Sequence, residues 1–137
     1  MTALGAVFLD TNVPMYAVGG AHPNKDHVRL RVREAIADGR RFVTDAAVLQ
    51  EILHRYTAIG RPDMIDPAFD VVLALADEVL PVTAEDVTTA KGIVLSRGRL
   101  SARDAIHVAV MRRHKIDTIL SFDRGYDGVP GITRIGE

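Results

Sequence analysis

Apolar residues fall into two kinds of run along this chain: short blocks suited to strands, and longer stretches in which they return every third or fourth position. Ala6-Val7-Phe8-Leu9 is the first block, apolar throughout, as in a strand covered on both faces. It runs straight into Asp10, Thr11 and Asn12, a carboxylate followed by two small polar residues that can cap a helix or, with Val13 and Pro14, make a turn. His22-Pro23-Asn24 is a turn and capping site for a helix with Val28, Val32, Ala35 and Ile36 on one face, ending near Gly39. Arg41-Phe42-Val43-Thr44 predicts a second strand. It too ends in an acid, Asp45, and leads into a helix with Ala46, Leu49, Ile52, Leu53 and Tyr56 inward. Glu51 falls on the opposite side of that helix, next to Ala47 and His54, facing solvent or a pocket.

Gly60-Arg61-Pro62-Asp63 breaks the pattern, and Asp66-Pro67 restarts it as an N-cap followed by proline at the first helical position, with Phe69, Val72, Leu73 and Ala76 as the apolar stripe. Val79-Leu80-Pro81-Val82 predicts a third strand. Thr83-Ala84-Glu85-Asp86 has capping-box spacing and opens a helix with Val87, Ala90, Val94 and Leu95 inward, which Gly98 stops. Ser101-Ala102-Arg103-Asp104 repeats the box. The helix it opens is apolar almost all round (Ala105, Ile106, Val108, Ala109, Val110, Met111), the mark of a buried helix. Asp117-Thr118-Ile119-Leu120-Ser121 predicts a fourth strand, followed by Phe122-Asp123, and Gly131-Ile132-Thr133-Arg134-Ile135 a fifth. Short strands alternating with helices need crossover connections, so the expected fold is a three-layer α/β/α domain over residues 1–137, with a mainly parallel sheet of four or five strands.

Composition narrows the chemistry. The chain has no cysteine, which removes disulfides, zinc-thiolate sites and thiol catalysis. No basic lead-in precedes a long apolar run at the N-terminus, and no stretch nears the ~20 apolar residues that span a bilayer, so a cytoplasmic protein without membrane attachment is expected. The net charge of −1 conceals a segregation: residues 22–41 and 91–124 are rich in Arg and Lys, whereas residues 63–86 carry seven acids and no Lys or Arg. Such basic segments are either solvated helix faces or a means of steering a polyanion.

Four acids share a position relative to the elements. Asp10 and Asp123 follow strands, Asp104 lies in the first turn of the buried helix, and Glu51 lies about a turn into its helix. In a parallel sheet the strand ends and the following helix starts line one edge, where ligands bind. Carboxylates gathered there repel one another unless a cation is shared, and a hard divalent ion meets that need. Each acid also has a purely structural reading: Asp10 as a turn cap, Asp104 as the partner of Ser101, Glu51 as a surface residue, Asp123 as part of the turn 122–125. Asp45 most simply caps its own helix. Glu51/His54 and Asp104/His107 have the carboxylate–histidine spacing of di-iron helix bundles, but glycine, proline and strand-like blocks interrupt this chain too often for that fold. His107 reads as a satisfied buried histidine, His54 as a pocket-edge one, and His22, His27 and His114 as surface residues.

Phe8-Leu9-Asp10-Thr11-Asn12, Gln50-Glu51, Ala102 to Ala109 with Asp104 at its head, and Leu120 to Asp127 resemble, in order, the motifs of a PIN-domain nuclease, most closely the VapC toxins of bacterial toxin–antitoxin pairs. With the closing Val129-Pro130-Gly131-Ile132, the resemblance covers essentially the whole chain. It implies Asp10, Glu51, Asp104 and Asp123 as an acidic quartet around Mg²⁺ or Mn²⁺, with Asp10 and Asp104 the firmest ligands. Thr11 and Ser121 match polar positions that support the acids, Asn12 stands where many relatives carry serine, and Asp127 is an auxiliary acid. It also implies an endoribonuclease acting on tRNA, rRNA or mRNA, a homodimer, and neutralisation by a VapB-type antitoxin. The expected reaction is metal-assisted hydrolysis in which water attacks the phosphodiester and the 3′ oxygen leaves. A non-catalytic module that kept the fold is the alternative. Few aromatic residues stand in the basic segments, so any RNA recognition rests on shape and phosphates rather than base stacking.

Overall fold

In the computed structural model, which describes residues 5–96 and 99–137, five strands form one parallel sheet: β1 (Val7–Leu9), β2 (Phe42–Asp45), β3 (Ala76–Leu80), β4 (Thr118–Leu120) and β5 (Thr133–Ile135). Their order is β3-β2-β1-β4-β5, with β1 in the centre. Gly98, expected to end a helix, lies outside the described residues. The register puts Phe8 beside Val43 and Ile119, and Leu9 beside Leu120. Because successive side chains leave a strand on opposite faces, two apolar clusters form. Phe8, Val43 and Ile119 pack on one face with Val48, Ile52, Ala105 and Val108. Val7, Leu9, Phe42 and Leu120 pack on the other with Val13, Val28 and Ala35.

Helices α1 (Asn12–Val18) and α2 (Pro23–Ala37) therefore cover the second face, and α3 (Ala46–Ala58), α4 (Ile65–Leu75), α5 (Ala84–Ser96) and α6 (Ala102–Arg113) supply the first. This is the expected three-layer arrangement, with all five strands in place. Each fully buried core side chain of this size contributes about 1.5–3 kcal/mol. Together they hold the central strand rigidly enough to aim whatever follows it.

Several local expectations shift. Of the two readings open for the residues after Asp10, helix start or turn, the structure takes the helix, α1; Thr11 holds its N-cap position without a side-chain capping bond, and Pro14 is tolerated because first-turn N–H groups have no helical partner. On α2, Ile36 is 60% exposed, so Val28 and Ala35 carry the packing. On α3 the buried stripe is Val48, Ile52 and Tyr56, rotated from the expected one: Leu53 faces outward and Glu51 turns inward. Helix α4 starts at Ile65 out of a 3-10 turn at Pro62–Met64, which puts Asp66 inside its first turn instead of at the cap. Ala68 and Val72 face the core, whereas Leu73 does not. Ala76 belongs to β3, which begins three residues before the predicted strand and ends before Pro81. That strand pairs only with β2 and exposes Asp77 and Glu78, as edge strands do, so it lacks the apolar block that marks a buried one. On α5, Ala90 and Ile93 are buried and Val87, Val94 and Leu95 exposed, because the helix packs chiefly on α6 and needs only a narrow stripe.

Both capping boxes form in part or in full. Thr83 and Asp86 exchange bonds, with Thr83 N–H donating to Asp86 Oδ2 at 2.9 Å and Asp86 N–H to Thr83 Oγ at 3.2 Å. At α6 the Asp104 N–H donates to Ser101 Oγ at 3.1 Å.

Candidate active site

Asp10 leaves the sheet immediately after β1, with its N–H donating to the Leu120 carbonyl at 3.1 Å. Its carboxylate is buried and held from several sides. Thr11 N–H donates to Oδ1 at 2.9 Å, and Ser121 Oγ–H donates to Oδ2 at 2.6 Å. Ser121 follows β4, the neighbour of β1, so parallel pairing delivers the hydroxyl to the acid. Asn12 donates from Nδ2 to Ser121 Oγ at 3.3 Å and accepts from Phe122 N–H at 3.4 Å, tying α1 to the end of β4. Asp123 N–H also donates to Ser121 Oγ, at 3.0 Å.

Behind Asp10 lies an arrangement that the motifs did not announce. His107, wholly buried on α6, stands 2.8 Å through Nδ1 from Asp45 Oδ2 and 2.9 Å through Nε2 from Glu51 Oε1, with Asp10 Oδ1 at 3.9 Å. Two carboxylates, one on each nitrogen, require both nitrogens to donate, so the ring is an imidazolium. Burial disfavours that charge, but the bonds to Asp45 and Glu51 outweigh it and hold the pKa well above the usual histidine range. Asp45 does cap α3, accepting from Val48 N–H at 3.0 Å through Oδ1, while its other oxygen serves His107. Glu51 is buried too; burial raises its pKa, but His107 more than compensates and leaves it below the ordinary value.

Asp10, Glu51, Asp104 and Asp123 line one cavity of about 130 Å³, together with Thr11, Asn12, Ser101, Arg55 and Arg103. Burial pushes the Asp10 carboxyl up against the pull of His107. Asp104 is pushed up to about 7 by burial and by the neighbouring Asp10 and Asp123, even though the buried Tyr126 hydroxyl donates to its Oδ1 at 2.9 Å. Asp123 is exposed at the rim and accepts from Gly125 N–H at 2.8 Å, so it closes its own turn while facing the cavity. Asp127 lies outside the cavity lining and is held by Arg134 at 2.8 Å. His54 lines a separate surface depression with Gln50, Leu53 and Thr57.

The donor set suits a hard divalent cation. Ligand atoms of Asp10, Asp104 and His107 lie within 4.8 Å of one another, but both His107 nitrogens are committed to carboxylates. That leaves Asp10 and Asp104 as the central oxygen donors, with Glu51 and Asp123 beside them. Raised carboxyls at both central acids mark a place where positive charge is wanted. The buried Thr11 hydroxyl lacks a well-aligned partner among the described residues, although it stands close enough to Glu51 to favour that group's ionised form.

Sequence alone could single out Asp10, Glu51, Asp104 and Asp123, but Asp45 read only as a cap and His107 only as a core residue. Their bond spans 62 positions, and no local signal encodes it. Tyr126, Arg55 and Arg103 were likewise invisible as site residues.

The PIN domain family model matches residues 7–132. Ribonuclease VapC13 of Mycobacterium tuberculosis is 50% identical over 129 residues, covering 94% of this chain and 98% of the relative. Among solved structures, the fold is similar to Mycobacterium tuberculosis VapC20, described as a Sarcin-Ricin loop cleaving toxin, with a TM-score of 0.77 at 18% identity over 96% of this chain and all of that one. It is also similar to VapBC2 from Rickettsia felis bound to a promoter DNA fragment, with a TM-score of 0.71 at 13% identity, covering 95% and 97% of the two chains.

Proposed function

The chain belongs to the PIN-domain family, among the VapC ribonucleases, and from that premise we propose that it is an endoribonuclease toxin dependent on Mg²⁺ or Mn²⁺ and silenced by a VapB-type antitoxin. The observation that carries this reading is the meeting of Asp10, Glu51, Asp104 and Asp123, two of them following strands and two carried on helices α3 and α6, around one cavity at the carboxyl edge of the sheet. Asp10 and Asp104 would hold the ion, with Glu51 and Asp123 completing its surroundings. When bound, the ion would activate water and stabilise the leaving oxygen. The protein's own part is positional. Ser121 and Thr11 lock the Asp10 carboxylate, Tyr126 orients Asp104, and the Asp45–His107 pair turns Glu51 inward. No serine or histidine nucleophile is needed, and His107 is too buried to touch a substrate.

Similarity to toxins solved in VapBC toxin–antitoxin assemblies supports an antitoxin partner; a homodimer acting in the cytoplasm on tRNA, rRNA or mRNA belongs to the same proposal. Among the described residues no helix is long and apolar enough to cross a membrane. The test is cleavage of total cellular RNA by purified protein in Mg²⁺ or Mn²⁺, comparing wild type with Asp10→Asn and Asp104→Asn. Loss of cleavage in both variants is expected, and either one cutting at the wild-type rate refutes the assignment. Tight Mn²⁺ binding with no cleavage of any RNA would favour a binding module instead.

A further inference from the structure

Two guanidinium groups stand at the mouth of the acid cavity without closing on it. Arg55 and Arg103 are exposed and line the same cavity as the four carboxylates. Every arginine ion pair among the described residues nevertheless involves Arg31, Arg61, Arg113 or Arg134. The spacing favours pairing. Glu51 lies four residues before Arg55 on α3, the separation and order at which a glutamate and a base usually meet. Glu51 instead gives its Oε1 to His107, and Asp104, next to Arg103 on α6, gives its Oδ1 to Tyr126. The interior network thus engages the acids and leaves both arginines, which line the cavity, without an ion pair among the described residues, although Arg103 is near enough to favour the ionised form of Glu51.

We infer that Arg55 and Arg103 form a phosphate clamp that seats the RNA backbone phosphates on either side of the one placed over the acid cavity. The inference rests on the ribonuclease reading. Four carboxylates repel a polyanion, and two forks of fixed geometry at the rim supply bidentate contacts that offset this without entering the acid cluster. They come from α3 and α6, the two helices that carry Glu51 and Asp104, so a strand held by both is laid across the cavity. These are positioning residues. Their contacts go to phosphate, so they contribute affinity and register but no base preference.

The test uses the full chain and a short fluorescein-labelled RNA. Anisotropy in EDTA and steady-state cleavage in Mn²⁺ are measured over a series of KCl concentrations for wild type, R55A, R103A, the double variant and the R55K/R103K pair. Each alanine should raise KM roughly tenfold while kcat stays near wild type. Each should also flatten the dependence of log affinity on log salt by about 0.7, the value for one single-strand phosphate contact. Lysine should restore the slope because it keeps the charge. Calorimetric Mn²⁺ affinity should be unchanged or tighter in the alanine variants, whereas a merely structural role would weaken it. Wild-type KM and salt slope in the double variant overturn the clamp alone. A wild-type protein that neither binds nor cuts RNA overturns the ribonuclease reading beneath it.

Discussion

Replacing Asp104 with Asn should make the metal-free protein more stable while abolishing its activity. Asp104 is ionised against its surroundings: burial, Asp10 and Asp123 raise its pKa from 3.8 to about 7. A shift of about 3 units corresponds to about 4 kcal/mol of destabilisation once the group is fully charged. The sign follows from the direction of the shift. A carboxyl raised in the folded state penalises folding above its folded pKa, and the penalty fades as pH falls from about 7 towards 4. Asparagine is nearly isosteric, carries no charge, and can still accept the Tyr126 hydroxyl. Because three carboxylates share the repulsion, the gain should be about 2–4 kcal/mol at pH 8, shrinking to under about 1 kcal/mol at pH 4. Urea unfolding in EDTA at both pH values measures it, with m-values compared to confirm that the denatured state is unchanged. An Asp104→Asn midpoint at or below wild type at pH 8, or a gain of equal size at pH 4, refutes the reasoning. Adding Mn²⁺ should reverse the ranking, since only the wild-type site gains stability by binding the ion.

Two other substitutions probe what holds the site. His107→Gln leaves the carboxylates of Asp45 and Glu51 buried without their shared cation, and should cost about 3–5 kcal/mol in urea unfolding of the metal-free protein; a loss below about 1 kcal/mol would show that the ring is not an imidazolium. Asp86→Asn weakens the forked contact from Arg113 at 2.8 and 2.9 Å and should lower stability at pH 7. Hydrogen bonds from Arg113 hold the Asp86 carboxyl down to about 2, so this contribution is complete above pH 4 and drains away as pH falls towards 2; an acid-unfolding curve of the variant identical to wild type would contradict it.

How much of this was legible beforehand depended on the range over which each feature is encoded. β1, β4 and α6 announced themselves because strands and a helix buried on most sides must be apolar throughout, and the capping boxes read correctly because their partners lie three residues apart. The faces of α3 and α5 read wrongly. Leu53, Val87 and Leu95 satisfied the helical period, but which of several apolar stripes turns inward is set by the neighbouring element, not by the helix. β3 was displaced because an edge strand tolerates Asp77 and Glu78. Glu51 shows the same limit at the site. Its position opposite the expected stripe left solvent and pocket equally open, and only His107, from α6, turns it inward.

The central place of β1 has a consequence for when harm becomes possible. The first strand of the chain waits for the fourth: the Asp10 carboxylate is pinned by a hydroxyl 111 positions downstream, and β4, one of the two strands that flank β1, is laid down only at residues 118–120. A nascent or clipped polypeptide that stops short of residue 118 carries Asp10, Glu51 and Asp104 but lacks β4, Ser121 and Asp123. The acid cavity is thereby a property of the finished sheet, and a partial copy is expected to lack cleavage for want of topology rather than through inhibition.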